Sequence, residues 1–144
     1  MSIAGVQGIR PRRPPGAGNQ GKAIYRTTDG GRNWQRLLLL EIGGRPAGGI
    51  SSYGYALGIA FAPNGAGLLW ESRGTLYLTL DGGRRWQPQA RVARPEVDFG
   101  SSASVVPGRA FALLTRGSAV YRLVATARDY RNWRTLRVWK AKLR

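Results

Sequence analysis

Thr27-Thr28-Asp29-Gly30-Gly31-Arg32-Asn33-Trp34 and Thr79-Leu80-Asp81-Gly82-Gly83-Arg84-Arg85-Trp86 are one pattern written twice, 52 residues apart. Each copy is preceded by a strand-like alternation, ending Tyr25-Arg26 in the first and Tyr77-Leu78 in the second. Period-two alternation running into Asp-Gly-Gly predicts a strand entering a tight turn, because glycine tolerates φ > 0 and aspartate bonds its own backbone. The tryptophan begins the return strand, where its ring covers the hairpin and packs on the next sheet. An interval of this size is the mark of stacked repeats. A worn third copy follows: Gly117-Ser118-Ala119-Val120-Tyr121-Arg122 restates the strand, and Asp129-Tyr130-Arg131-Asn132-Trp133 stands where the turn belongs, without its glycines.

Working outward, the strand readings are 21–28 and 33–42 for a first hairpin, with Leu37-Leu38-Leu39-Leu40 a continuous apolar run suited to burial on both faces. Residues 43–52 read as a Gly-rich loop. Strands at 55–62, 68–72, 75–80 and 85–91 make one four-stranded unit; 97–103, 109–115, 118–126 and 133–138 make another. The fold class is therefore all-β, antiparallel, in four-stranded blades, about two and a half of them. The partial blade spans 21–42, the full blade 55–91 and the degenerate one 97–138, with a basic tail at 139–144. Residues 1–20, with Arg10, Arg12 and Arg13 among Pro11, Pro14 and Pro15, read as a disordered basic leader, unless 2–9 supply a strand to the first blade.

Composition narrows function. The 144 residues contain neither Cys nor His, which excludes disulfides, thiolate chemistry, a Ser-His-Asp triad and a Cys/His zinc site; no metal or cofactor is expected. The formal charge is +16, from 23 Lys and Arg against 7 Asp and Glu, and only Lys22, Lys140 and Lys142 are lysines. Such an excess points to anionic partners, nucleic acid included. No run approaches the ~18 apolar residues of a membrane span, and the N-terminal stretch has no apolar core of a signal peptide.

Residues 27–34 and 79–86 match Ser/Thr-x-Asp-x-Gly-x-x-Trp in full, and 129–133 in part. The chain thus resembles the Asp-box (BNR) repeat β-propellers: sialidases, xyloglucan-cleaving hydrolases, sortilin-type receptors and photosystem II assembly factors. The resemblance covers roughly 21–140. It implies that Thr27, Asp29, Gly31, Trp34, Thr79, Asp81, Gly83, Trp86, Asp129 and Trp133 are folding elements away from the binding face. It also implies a scaffold for protein or glycan binding, as part of a longer protein first of all, or else as a ring closed by self-association or a stable short stack. The alternatives are a sialidase-type glycoside hydrolase fragment and a polyanion binder. For catalysis, Glu96 and Asp98 lie two apart on a strand, hence on one face, as paired carboxylates can; Glu71 follows Trp70 at a strand's loop end, where it is otherwise expected to pair with an arginine. An arginine triad of sialidase kind cannot be placed. Trp70, Arg73, Arg137 and Lys140 are the candidate binding residues, the last two from a tail that alternates basic and apolar residues.

Overall fold

A computed structural model describes residues 3–9, 20–72, 75–89, 98–116, 120–128, 130 and 132–140. Among the described residues, eleven strands form three antiparallel sheets. The first sheet holds β1 (Ile3–Ile9), β2 (Gly21–Thr27) and β3 (Gln35–Leu40) in that order. The second is β4 (Ala56–Phe61), β5 (Gly67–Glu71), β6 (Leu76–Thr79) and β7 (Gln87–Pro88). The third is β8 (Asp98–Val106), β9 (Arg109–Arg116), β10 (Val120–Ala125) and β11 (Arg134–Lys140). In each, neighbours in sequence are neighbours in space, the up-and-down meander of a propeller blade.

The middle sheet is buried on both faces, and alternation along its strands explains how. Leu68, Trp70, Leu76 and Leu78 join Ala110, Ala112, Leu114, Val124 and Tyr130 of the third sheet in one core. The intervening Leu69 and Tyr77 point the other way, into a second core with Ile24, Leu38, Leu40 and Ile50. Period-two alternation therefore serves two cores at once, and β5 and β6 contain no exposed residue. Trp70 needs unusual room: an ideal Cβ on Gly58 of β4 would collide with its indole, so only glycine fits opposite it.

Two expectations change. Ile3–Ile9 is a strand paired with β2, from Ile3 opposite Thr27 to Ile9 opposite Gly21, so the disordered-leader reading fails there; residues 10–19 lie outside the description. Among the described residues the first sheet thus holds three strands rather than the two of the expected hairpin. The four-leucine run is not buried on both faces either. Leu38 and Leu40 are buried whereas Leu39 is 40 % exposed, because among the described residues no sheet covers its face of β3.

The sheets are thus all-β antiparallel blades of a β-propeller, stacked one against the next, with the central blade complete and enclosed.

Candidate functional site

The strand order fixes two ends. At one end lie the first turn of each complete blade and the box hairpin between its last two strands; at the other lie the turn between the second and third strands and the connection from blade to blade.

The box end is built from side-chain hydrogen bonds repeated almost atom for atom. Thr27 Oγ1 donates to Asp29 Oδ1 (2.7 Å) and accepts from Gly31 N–H (2.9 Å); Thr79 Oγ1 donates to Asp81 Oδ1 (2.9 Å) and accepts from Gly83 N–H (3.0 Å). Asp29 accepts from Asn33 N–H (2.9 Å), and Asp81 from Arg84 and Arg85 N–H (3.0 and 2.9 Å). Backbone N–H donors on Asn33 and the Thr27 hydroxyl hold the Asp29 carboxyl down at about 2. The Asp81 carboxyl is also lowered: burial pushes it up, but the N–H groups of Arg85 and Arg84 and the Thr79 hydroxyl outweigh this. Gly30 and Gly31 take φ of 73° and 91°, Gly82 and Gly83 72° and 93°, which L side chains rarely adopt. Trp34 and Trp86 each donate from Nε1 to the second glycine's carbonyl at 3.0 Å.

The two tryptophans differ in burial. Trp86 is 2 % exposed and Trp34 49 %. The Trp86 ring meets Phe61 edge-on at 5.8 Å and belongs to the core shared with the first blade, whose loop closes over it: Trp86 N–H donates to Gly48 O (2.6 Å), and a Cβ on Gly49 would strike the Trp86 carbonyl. Trp133 packs against the core shared with the second blade and donates to Gln89 Oε1 (3.0 Å). Box tryptophans therefore pack on the preceding blade, and Trp34 has none among the described residues.

The third box uses different chemistry. The Thr-to-Trp spacing is seven residues in all three copies, and Thr126, like Thr27 and Thr79, is 1 % exposed. Aligned on this threonine, Tyr130 replaces the second glycine and still adopts φ 61°. Three hydrogen bonds hold it there: Gly108 N–H donates to its hydroxyl (2.6 Å), the hydroxyl donates to Val106 O (2.8 Å), and Asn64 Nδ2 also donates to it (3.0 Å). The shared Thr-to-Trp spacing was the signal for this correspondence; Asp129 lies outside the described residues.

The opposite end gathers Lys22, Glu71 and the connection 51–55. Lys22, at the start of β2, and Glu71, at the end of β5, form a fully buried ion pair between blades. The expected arginine partner is therefore a lysine, because β2 brings Lys22 alongside β5. Lys22 Nζ also donates to Ser51 O (2.6 Å) and Tyr53 O (3.2 Å). Burial pushes Glu71 up to about 7 against the pull of Lys22, and burial lowers Lys22. Burial likewise raises the Tyr77 hydroxyl, which lies 3.4 Å from Ser51 Oγ. Glu71 is sealed from solvent, with Gly54 packed over the carboxylate, so it has no route to a sugar. Trp70, the neighbouring stacking candidate, is core.

The same connection displays side chains outward. Tyr55 N–H donates to Ser72 Oγ (2.8 Å), Ser72 N–H to Tyr55 O (2.8 Å), Gln20 N–H to Ser52 O (2.8 Å) and Ala56 N–H to Gln20 Oε1 (3.1 Å). Stitched to both blades, it presents Tyr53, Tyr55 and Leu57 at 48 %, 43 % and 48 % exposure, every second residue. None of the three was singled out from sequence, where the Tyr-Gly-Tyr alternation was the available signal. Among the other candidates, Asp98 opens β8 opposite Thr115, Glu96 and Arg73 lie outside the described residues, and Arg137 and Lys140 are exposed on β11, Arg137 lying 5.3 Å over the Trp139 ring. Among the described residues no group of three His, Cys, Asp or Glu could hold a metal, and no helix is long and apolar enough to cross a membrane.

These features define a class: a stack of β-propeller blades whose hydrogen-bonded loop end presents Tyr53, Tyr55 and Leu57. Among solved structures, the chain is similar to the propeller in a structure described as "YCF48 bound to D1 peptide", with TM-score 0.51 and 20 % identity over 92 % of this chain and 42 % of that one. It thus spans less than half the length of that relative. No family model and no curated protein matches the chain.

Proposed function

We propose that the chain is a non-catalytic scaffold of Asp-box blades that docks a protein segment on the loop end, across Tyr53, Tyr55 and Leu57. The observation that carries this reading is their presentation: a connection anchored by the buried Lys22–Glu71 pair and by Ser72 holds two exposed tyrosines rigidly, as hot-spot residues are held at protein interfaces. The peptide in the YCF48 structure supports a peptide ligand over a glycan. The hairpins at 27–34 and 79–86 act as Asp boxes, with 126–133 a variant, and serve folding at the far end from the ligand.

The test is selection of peptides from a random library on the immobilised chain, followed by affinity measurement with Tyr53→Ala/Tyr55→Ala. The reading expects selected peptides to bind the double variant at least tenfold more weakly. Peptides indifferent to both tyrosines, or turnover of a fluorogenic sialoside, would overturn it.

A further inference from the structure

The box end carries a second surface, independent of the tyrosine face. Contacts run along it through all three blades. A Cβ on Gly82 in the second box would sit 2.8 Å from the Arg26 guanidinium of the first blade; Gly82 N–H donates to Gly65 O (2.9 Å) in the adjoining turn; Asn64 of that turn donates to Tyr130 in the third box. This continuous end displays Arg32, Arg84, Arg85, Arg109, Arg128 and Arg134, all exposed. The described carboxylates among them, Asp29 and Asp81, are engaged by their own turns. At the opposite end, Lys22 and Glu71 neutralise each other in the interior. Among the described residues, the positive charge displayed at the box end is arginine throughout.

The geometry points to this end as a docking surface for single-stranded nucleic acid, read through its phosphate backbone without sequence preference. Arginine presents a planar fork that engages phosphate oxygens in pairs, which lysine cannot do. Six such groups distributed over successive turns suit a flexible polymer with a charge at every unit rather than one compact anion. Trp34, 49 % exposed in the same box as Arg32, offers a ring on which a base can stack. An acidic peptide or an anionic lipid surface would satisfy the charge but supplies no base for that ring.

The experiment is fluorescence anisotropy of the whole chain with a labelled 20-nucleotide single-stranded RNA across a salt series. With six phosphates engaged, log Kobs falls against log salt with a slope of about −4. Arg84→Gln/Arg85→Gln/Arg128→Gln should weaken binding at least tenfold and flatten the slope by about two. Arg45→Gln/Arg137→Gln should bind within twofold of the unaltered chain, and circular dichroism should show both variants folded. Trp34→Ala should weaken RNA binding while leaving heparin binding unchanged. Failure to bind RNA at physiological salt, wild-type affinity in the triple variant, or polyglutamate or phosphatidylserine vesicles binding as tightly as RNA would overturn the assignment. The peptide-docking reading would survive each of these results, because its residues lie at the other end.

Discussion

Replacing Trp86 with alanine removes a ring that is 2 % exposed, whereas the same change at Trp34 removes one that is half in solvent, although the two occupy identical places in identical motifs. A buried tryptophan withdraws on the order of 200 Å² from water, about 5 kcal/mol at 25 cal/mol per Å². Core Trp-to-Ala changes cost about 3–5 kcal/mol in practice. Trp86 belongs at the upper end of that range. Its edge contact with Phe61 adds about 0.5–1.5 kcal/mol, and the loop at Gly48–Gly49 cannot collapse into the space because it is bonded to the Trp86 backbone. Trp34 keeps 49 % of its surface in water, so its loss should cost about 2 kcal/mol or less. Both donate an Nε1 hydrogen bond, exposed at Trp34 and buried at Trp86, so its loss widens the difference. Urea unfolding followed by far-ultraviolet circular dichroism measures the difference. A cost at Trp34 equal to or above that at Trp86 would refute the claim that each box tryptophan packs on the preceding blade.

Other outcomes follow from particular contacts. Gly49→Ala drives a Cβ into the Trp86 carbonyl at φ 92° and should destabilise by about 3 kcal/mol or more, read by the same unfolding assay. Lys22→Met leaves Glu71 buried without its cation and should cost about 3–5 kcal/mol, while Lys22→Met/Glu71→Met recovers most of that loss. Glu71 titrates near 7 in the folded chain against 4.5 unfolded, so the folded state holds a proton that the unfolded state has released; stability contributed by this group falls as pH rises from about 4.5 to 7, and Glu71→Gln should flatten the thermal midpoint across that window. Asp29 is shifted the other way, so its contribution is complete above about pH 4 and disappears as pH falls towards 2; Asp29→Asn should lessen the acid sensitivity of the midpoint. Tyr130→Phe strands Gly108 N–H and Val106 O and should cost about 1–3 kcal/mol in urea.

What was legible in the sequence was local. Thr-x-Asp-Gly-Gly-x-x-Trp contains its own turn, cap and lock, so the hairpins, their spacing and the blade meander could be read from adjacent residues. What was not legible depended on neighbours distant in the chain. Burial of Trp86 but not Trp34 is decided by the blade before each. The exposure of Leu39 alone in Leu37–Leu40 follows from the face of β3 on which no blade packs among the described residues. Ile3–Ile9 was obscured by the Arg- and Pro-rich stretch after it, although its pairing with β2 spans seven residue pairs. At the candidate site, Glu71 was seen but its partner was not, because Lys22 reaches it only when β2 and β5 stack. Tyr130 concealed a box by taking a glycine's backbone conformation with a side chain that anchors three groups.

Hydrogen–deuterium exchange on the intact chain tests the stacked-blade architecture most directly. With cores on both faces, β5 and β6 should hold the slowest-exchanging amides, and β3 and β11 at the outer edges should exchange much faster. Rapid exchange in β5 and β6, at the rate of the outer strands, would contradict an enclosed central blade.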